Sequence, residues 1–143
     1  IYISTDYVYD KGINGQSENS PLNPPNNYGW SKLGGECVTR LIPNSLILRC
    51  ALCDIPFRHD IAFADVWRNS ITHKDTAKII LKLKDENGVI NLGGKYQSVY
   101  DFVSNYQKIK RGYNHNKVPN VNDVHLMTSR LSEILEKVCT REA

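Results

Sequence analysis

The run Ser45-Leu46-Ile47-Leu48-Arg49-Cys50 constrains this chain most. A strand with one wet face alternates apolar and polar residues. Three consecutive aliphatics suit a strand buried on both faces, the environment of a parallel sheet. Parallel neighbours need a long crossover, usually a helix. The upstream sequence supplies one. Ile1-Tyr2-Ile3 reads as a buried strand ending at small polar residues. Residues 10–27 are then a loop, since Gly12, Gly15, Pro21, Pro24, Pro25 and many Asn and Ser residues oppose regular structure. A helix is expected over 27–42, with Asn26 or Asn27 as its N-cap and Pro43-Asn44 as its stop. Strand, helix, strand makes a βαβ unit and predicts an α/β fold.

That helix carries Tyr28 and Lys32. At i,i+4 the two side chains stack on one helix face. A cation beside a phenol favours the phenolate, which eases proton transfer near neutral pH. The hydroxyl of Thr5 is placed to hold a substrate oxygen. The spacing arises by chance in many helices, so its context must carry the assignment. Leu33, Cys37 and Leu41 lie opposite Tyr28 and are expected to pack inward. Gly35 and Thr39 fall near Tyr28 and Lys32, leaving room for a ligand or a neighbouring helix. The pair Gly34-Gly35 costs helix stability, about 1 kcal/mol per glycine, which points to close packing.

Strand, Ser/Thr, loop, then a helix with Tyr-x-x-x-Lys is the layout of the short-chain dehydrogenase/reductase superfamily. The wording is narrower. Ile3-Ser4-Thr5-Asp6-Tyr7-Val8-Tyr9-Asp10, with the Pro-Asn-x-Tyr-Gly-x-Ser-Lys-Leu-x-Gly-Glu pattern over 25–36, closely resembles the dTDP-4-dehydrorhamnose reductase (RmlD-like) group of extended short-chain dehydrogenases. The resemblance implies the C-terminal part of a Rossmann-like parallel sheet over 1–50. A substrate-binding region over 51–143 would return one sheet strand near 88–93. It implies Tyr28 as proton donor, Lys32 as the group that lowers its pKa and holds the nicotinamide ribose, and Thr5 as hydrogen-bond donor to the same carbonyl oxygen. Cys50 replaces the usual Thr of a Leu-Arg-Thr pattern beside the nicotinamide, while Arg49 matches it. Asp6 and Tyr7 would touch the sugar. Arg58 and Arg68 are candidates for its phosphates, because a guanidinium fork matches phosphate oxygens. The implied cofactor is NADPH or NADH, and the implied substrate is a keto-sugar on a nucleoside diphosphate.

Beyond residue 50 the pattern loosens. Residues 51–76 are irregular, with a short helix expected across Ile61, Ala62, Ala64, Asp65 and Trp67. A helix should start at Thr72 or His73 and bury Ala77, Ile80 and Leu81. Residues 88–94 read as a strand closed by glycines. Ser98 and Asp101 suggest a capping box, followed by a stripe of Val99, Phe102, Val103 and Tyr106. Lys110 to Asn116 reads as a polar connection. Thr128 should cap a last helix with the stripe Leu131, Ile134, Leu135 and Val138. The stretch Thr128-Ser129-Arg130-Leu131 resembles a Thr-Ser-Lys-Leu element of the same reductases.

The 143 residues suffice for a real core, with 41% hydrophobic and 23% charged residues, as in ordinary soluble domains. A net charge of +3 without a dense basic cluster gives no reason to expect nucleic acid. No apolar run approaches the roughly 20 residues of a membrane span. The four cysteines, Cys37, Cys50, Cys53 and Cys139, suit a reducing cytoplasm. Cys50 and Cys53 form a C-x-x-C without a partner motif, and His59 and His73 have no metal spacing, so no metal is assigned. A homodimer is open.

Dinucleotide enzymes hold the pyrophosphate on a Gly-rich turn between a strand and a helix. No glycine here completes that pattern. With no initiator Met and residue 1 already in a strand, the expectation is a fragment carrying the dyad without most of its cofactor site. Two alternatives stay open. One is NAD-dependent epimerase or dehydratase chemistry. The other is a non-catalytic subunit resembling the regulatory subunit of methionine adenosyltransferase.

Overall fold

The computed structural model describes residues 1–10, 15–114 and 124–142. Gly12 and residues 115–116, which entered the sequence reading, lie outside them. The centre is a parallel sheet of β1 (Tyr2–Thr5), β2 (Leu46–Cys50) and β7 (Gly88–Leu92), in the order β1-β2-β7. Ile3 pairs with Leu48 in register, and Leu48 with Ile90.

All five residues of β2 are buried. Its side chains alternate between two covered faces. Leu46, Leu48 and Cys50 enter a core with Ile90, Leu92, Leu83, Leu131 and Ile134. That core lies under α2 (His73–Lys82) and α4 (Ser129–Glu142). Arg49 points the other way, to α1 (Asn27–Thr39). The fold is therefore α/β, with the middle strand buried on both sides.

The Asn26 side chain caps α1 by accepting from Gly29 N at 2.8 Å. The expected inward stripe of α1 is corrected. Leu33 packs against the sheet end, but Cys37 is exposed and Leu41 is 82% exposed. The residue that faces the sheet is Glu36, fully buried against Arg49 and Ser4. A hydrophobic pattern cannot register a buried face made of an ion pair. The room beside Gly35 is also taken. A Cβ there would meet the Tyr2 phenol, so the glycine serves contact with this chain's own strand.

Residues 61–68 do not form the expected helix. They form β4 (Ile61–Phe63), which pairs with β9 (Lys110–Gly112), and β5 (Trp67–Arg68), which pairs with β8 (Gln97–Ser98), while β3 (Leu52–Cys53) and β6 (Ile71–Thr72) pair with each other. The expected polar connection at Lys110 is thus partly strand. Pairing between segments some fifty positions apart overrides local propensity there. Thr72 caps α2 as expected, yet Leu81 is 75% exposed and Ala77 is exposed. The inward positions are Thr76, Ile79, Ile80 and Leu83. Ser98 caps α3 (Val99–Ser104), and Ser98 Oγ also donates to Asp101. Phe102 and Val103 join Ala62 in a second core beneath β4. In α4, Leu131 and Ile134 are buried, with Leu135 and Val138 packed beside them.

Candidate functional site

Ligands of open parallel sheets bind at the carboxyl ends of the strands. A cavity of about 770 Å³ opens at the ends of β1 and β2, where Thr5 and Cys50 are register partners. Thr5, Tyr7, Tyr28, Cys50, Leu52 and Arg68 stand on its wall. Three elements from distant parts of the sequence therefore converge.

Local chemistry explains how each arrives. After Thr5 the chain turns at once into a 3-10 turn, Asp6–Val8, in which the Tyr7 N–H donates to Thr5 Oγ1. The first turn of α1 then lies on this turn. A Cβ at Gly29 would collide with the Tyr7 carbonyl and Pro24, so only glycine permits the approach. That contact sets the Tyr28 ring edge-on to Tyr7, 5.9 Å between centroids. Tyr28 remains 55% exposed, open to a ligand.

Lys32 stands one turn along the helix. Its Nζ lies 4.6 Å from the centroid of the Tyr2 ring, and the Tyr2 hydroxyl donates to the Lys32 carbonyl. The Lys32 charge reaches Cys50, where it acts against the burial and the Asp6 charge that together push the Cys50 thiol up to about 12. Burial likewise pushes the Cys53 thiol up to about 11. Both sulfurs are protonated at neutral pH and are poor nucleophiles or metal ligands. Among the described residues no cluster of three potential metal ligands forms.

The residues expected to touch the substrate separate into different roles. Tyr7 and Arg68 are on the cavity wall. Asp6 is fully buried behind it, with Arg68 held against its carboxylate through Nη2 at 2.6 and 2.7 Å and through Nε at 3.0 Å. Thr5 Oγ1 also donates to Asp6, at 3.2 Å. The Arg68 guanidinium lies 5.2 Å from the centroid of the Tyr7 ring. Burial disfavours its cation, but Asp6 more than compensates and holds its pKa above the ordinary arginine value. Arg58 belongs elsewhere. It is 79% exposed, paired with Asp54 at 2.9 Å, and borders a second cavity of about 540 Å³.

That second cavity shares Tyr7, Leu52 and Arg68 with the first, so the two are contiguous. Phe57, Phe63, Val66 and Val99 give it an apolar wall. Ser70 contributes a buried hydroxyl with no hydrogen-bond partner among the described residues. Sequence reasoning passed over Ser70 and Leu52, and named Asn26 only as a helix cap. Nothing in a lone serine or leucine distinguishes a cavity wall from a core, whereas the Asn26 cap was visible. It also passed over the buried network that fixes α1. Arg49 donates to Glu36 at 3.0 and 2.8 Å and to the Tyr9 hydroxyl at 2.8 Å, and that hydroxyl donates to Asn91 Oδ1 at 2.7 Å.

No helix among the described residues is long and apolar enough to cross a membrane.

The family model described as the RmlD substrate binding domain matches residues 1–83. Over 50 residues the chain is 50% identical to methionine adenosyltransferase 2 subunit beta of Danio rerio, a match covering 34% of this chain and 16% of that protein. A hypothetical dTDP-4-dehydrorhamnose reductase from Sulfolobus tokodaii has a similar structure, with a TM-score of 0.70 and 25% identity over 92% of this chain and 56% of that one. The dTDP-4-dehydrorhamnose reductase from Bacillus anthracis, solved in complex with NADP, gives 0.73 at 19% identity over 99% and 65%. A UDP-glucuronic acid 4-epimerase from Bacillus cereus, solved with NAD, gives 0.68 at 22% over 94% and 52%, a likeness of fold. The chain spans less than two thirds of the length of each.

Proposed function

Because the chain belongs to the RmlD substrate-binding-domain family, we propose that it serves the nicotinamide-dependent reduction of a keto group on a nucleotide-linked sugar. The observation that carries this reading is the convergence of Thr5, Tyr28 and Arg68 on one cavity at the strand ends. Two residues there can donate hydrogen bonds to a carbonyl oxygen, and a held cation can receive an anionic group.

The residues present fit the nicotinamide end of the cofactor. Tyr28 and Cys50 line the open cavity, and Lys32 reaches it electrostatically. A pyrophosphate cradle has no counterpart among the described residues. Gly93-Gly94 follow β7 but lie against the backbone of Asn69 and Ser70, and no helix begins there. When bound, NADPH or NADH supplies the hydride. The rest falls to this chain. Thr5 directs its hydroxyl at the substrate oxygen and polarises the carbonyl. Tyr28 delivers its phenolic proton to that oxygen as negative charge develops. Lys32, one turn away, stabilises the phenolate left behind. Arg68 holds an anionic part of the substrate at the junction of the two cavities. Arg58, at the rim, attracts the anion without fixing it.

Turnover with NADPH or NADH and a nucleotide-linked keto-sugar tests this. Replacing Tyr28→Phe should lower kcat by at least about 100-fold, the scale of general-acid catalysis. An unchanged rate removes Tyr28 from the mechanism. The 50% identity to an adenosyltransferase subunit supports a second reading, that the chain serves as a subunit for a partner enzyme. Absence of turnover together with stable association with such a partner would select it.

A further inference from the structure

Asp6 follows Thr5 directly, and its position alone suggests a ligand contact. Its geometry does not. The side chain is fully buried, and both carboxylate oxygens are taken. Oδ1 accepts from Thr5 Oγ1 and from Arg68 Nη2, while Oδ2 accepts from Arg68 Nε and Nη2. One carboxylate therefore joins the Thr5 hydroxyl on the wall of the first cavity to the guanidinium shared by the two cavities.

We infer that Asp6 is a positioning residue that touches no ligand and acts through Arg68 and Thr5. This rests on the reading of the cavity as a site for an anionic ligand. The physical argument turns on freedom. An arginine has many rotamers, and a cation that is 15% exposed could turn to water. The bidentate pair removes that freedom and leaves the outer edge of the guanidinium for a ligand anion. The Tyr7 ring beneath it closes the other direction. The same pair draws negative charge away from the carboxylate oxygen that accepts from Thr5. The hydroxyl is then held weakly enough to turn to a substrate oxygen.

A purely charge-balancing role predicts the opposite sign for one measurement. The probe is inorganic pyrophosphate, titrated into this chain and followed by nuclear magnetic resonance. Arg68→Met should abolish saturable binding. Asp6→Asn removes a negative charge near the cation, so simple electrostatics would tighten the complex. Positioning predicts that binding weakens at least about tenfold, the loss expected for one charge-assisted contact. Asp6→Glu keeps the charge and displaces the anchor by one methylene. Positioning predicts weaker binding there too, and this variant stands in should Asp6→Asn fail to fold. Unchanged or tighter binding in a folded variant overturns the inference, as does a wild-type chain that binds no pyrophosphate. The measurement needs no turnover. Failure of the reductase reading, seen as absent turnover in the presence of Asp6-dependent pyrophosphate binding, is therefore separable from failure of this one.

Discussion

Glu36 and Arg49 meet between α1 and β2 with two hydrogen bonds, 3.0 Å from Nε to Oε1 and 2.8 Å from Nη2 to Oε2. Neither side chain is more than 1% exposed. The pair fixes the helix that carries Tyr28 and Lys32 to the central strand. A buried pair gains little over a packed apolar pair, but breaking one is costly, because the remaining charge has no solvent.

Glu36→Gln should therefore destabilise the fold by about 3 kcal/mol or more, a large share of a typical domain's stability. Urea denaturation checks it, since the midpoint falls while the slope is retained. A change within a few tenths of a kcal/mol would mean that Arg49 finds a new partner, with Tyr9 and the Glu18 carbonyl already in contact.

The same carboxyl gives the wild type an acid limb. Burial alone would raise the Glu36 pKa, but the hydrogen bonds from Arg49 and Ser4 and the nearby cations outweigh it and hold the pKa below the ordinary 4.5. The unfolded chain then binds the proton more readily than the folded one. The stabilisation is fully present above about pH 4.5 and is lost as pH falls through the lower folded value. Denaturation midpoints measured from about pH 7 to about pH 3 should fall less steeply in Glu36→Gln, which lacks this group.

Two glycines of α1 should respond in opposite directions to alanine. At Gly34 a Cβ enters open space, so Gly34→Ala should stabilise by about 0.5–1 kcal/mol through helix propensity. At Gly29 a Cβ meets the Tyr7 backbone and Pro24, so Gly29→Ala should cost about 1–3 kcal/mol despite the same propensity gain. Thermal unfolding of the two variants side by side checks the contrast. It also tests whether the first turn of α1 rests on the Tyr7 carbonyl.

Thiol labelling should separate the cysteines. Cys37 and Cys139 are exposed, whereas the Cys50 thiol is pushed from the ordinary 9.0 to about 12. That shift alone leaves about 1,000-fold less thiolate on Cys50 at a given pH. Iodoacetamide near neutral pH should alkylate Cys37 and Cys139 first, with Cys50 modified only on unfolding. Peptide mass spectrometry over a time course reads the order. Early modification of Cys50 would mean that the cavity floor is open and the thiol is ionised.

Much of this was legible in the residues themselves. The continuous apolar run at Leu46 gave a strand covered on both faces, because burial from two sides leaves no polar alternation. Asn26 announced the start of α1, since an amide oxygen satisfies an otherwise unpaired helical N–H. The words around Thr5, Tyr28 and Lys32 gave the family. Tertiary structure alone decided the rest. No local signal links Asp6 to Arg68, 62 positions away, or Glu36 to Arg49, because an ion pair is set by where two elements come to lie. Polar residues facing a sheet have no period to read, so Cys37 and Leu41 were given the place that Glu36 holds. Strand pairing between Ile61 and Lys110 overrode a helical composition for the same reason. The sequence determined the residue types around Thr5, Tyr28 and Lys32 and their spacing. The packing of α1 on β1 and β2, with Arg68 folded back over Tyr7, decided which of them share one cavity, because burial and hydrogen bonding are settled only when distant segments meet.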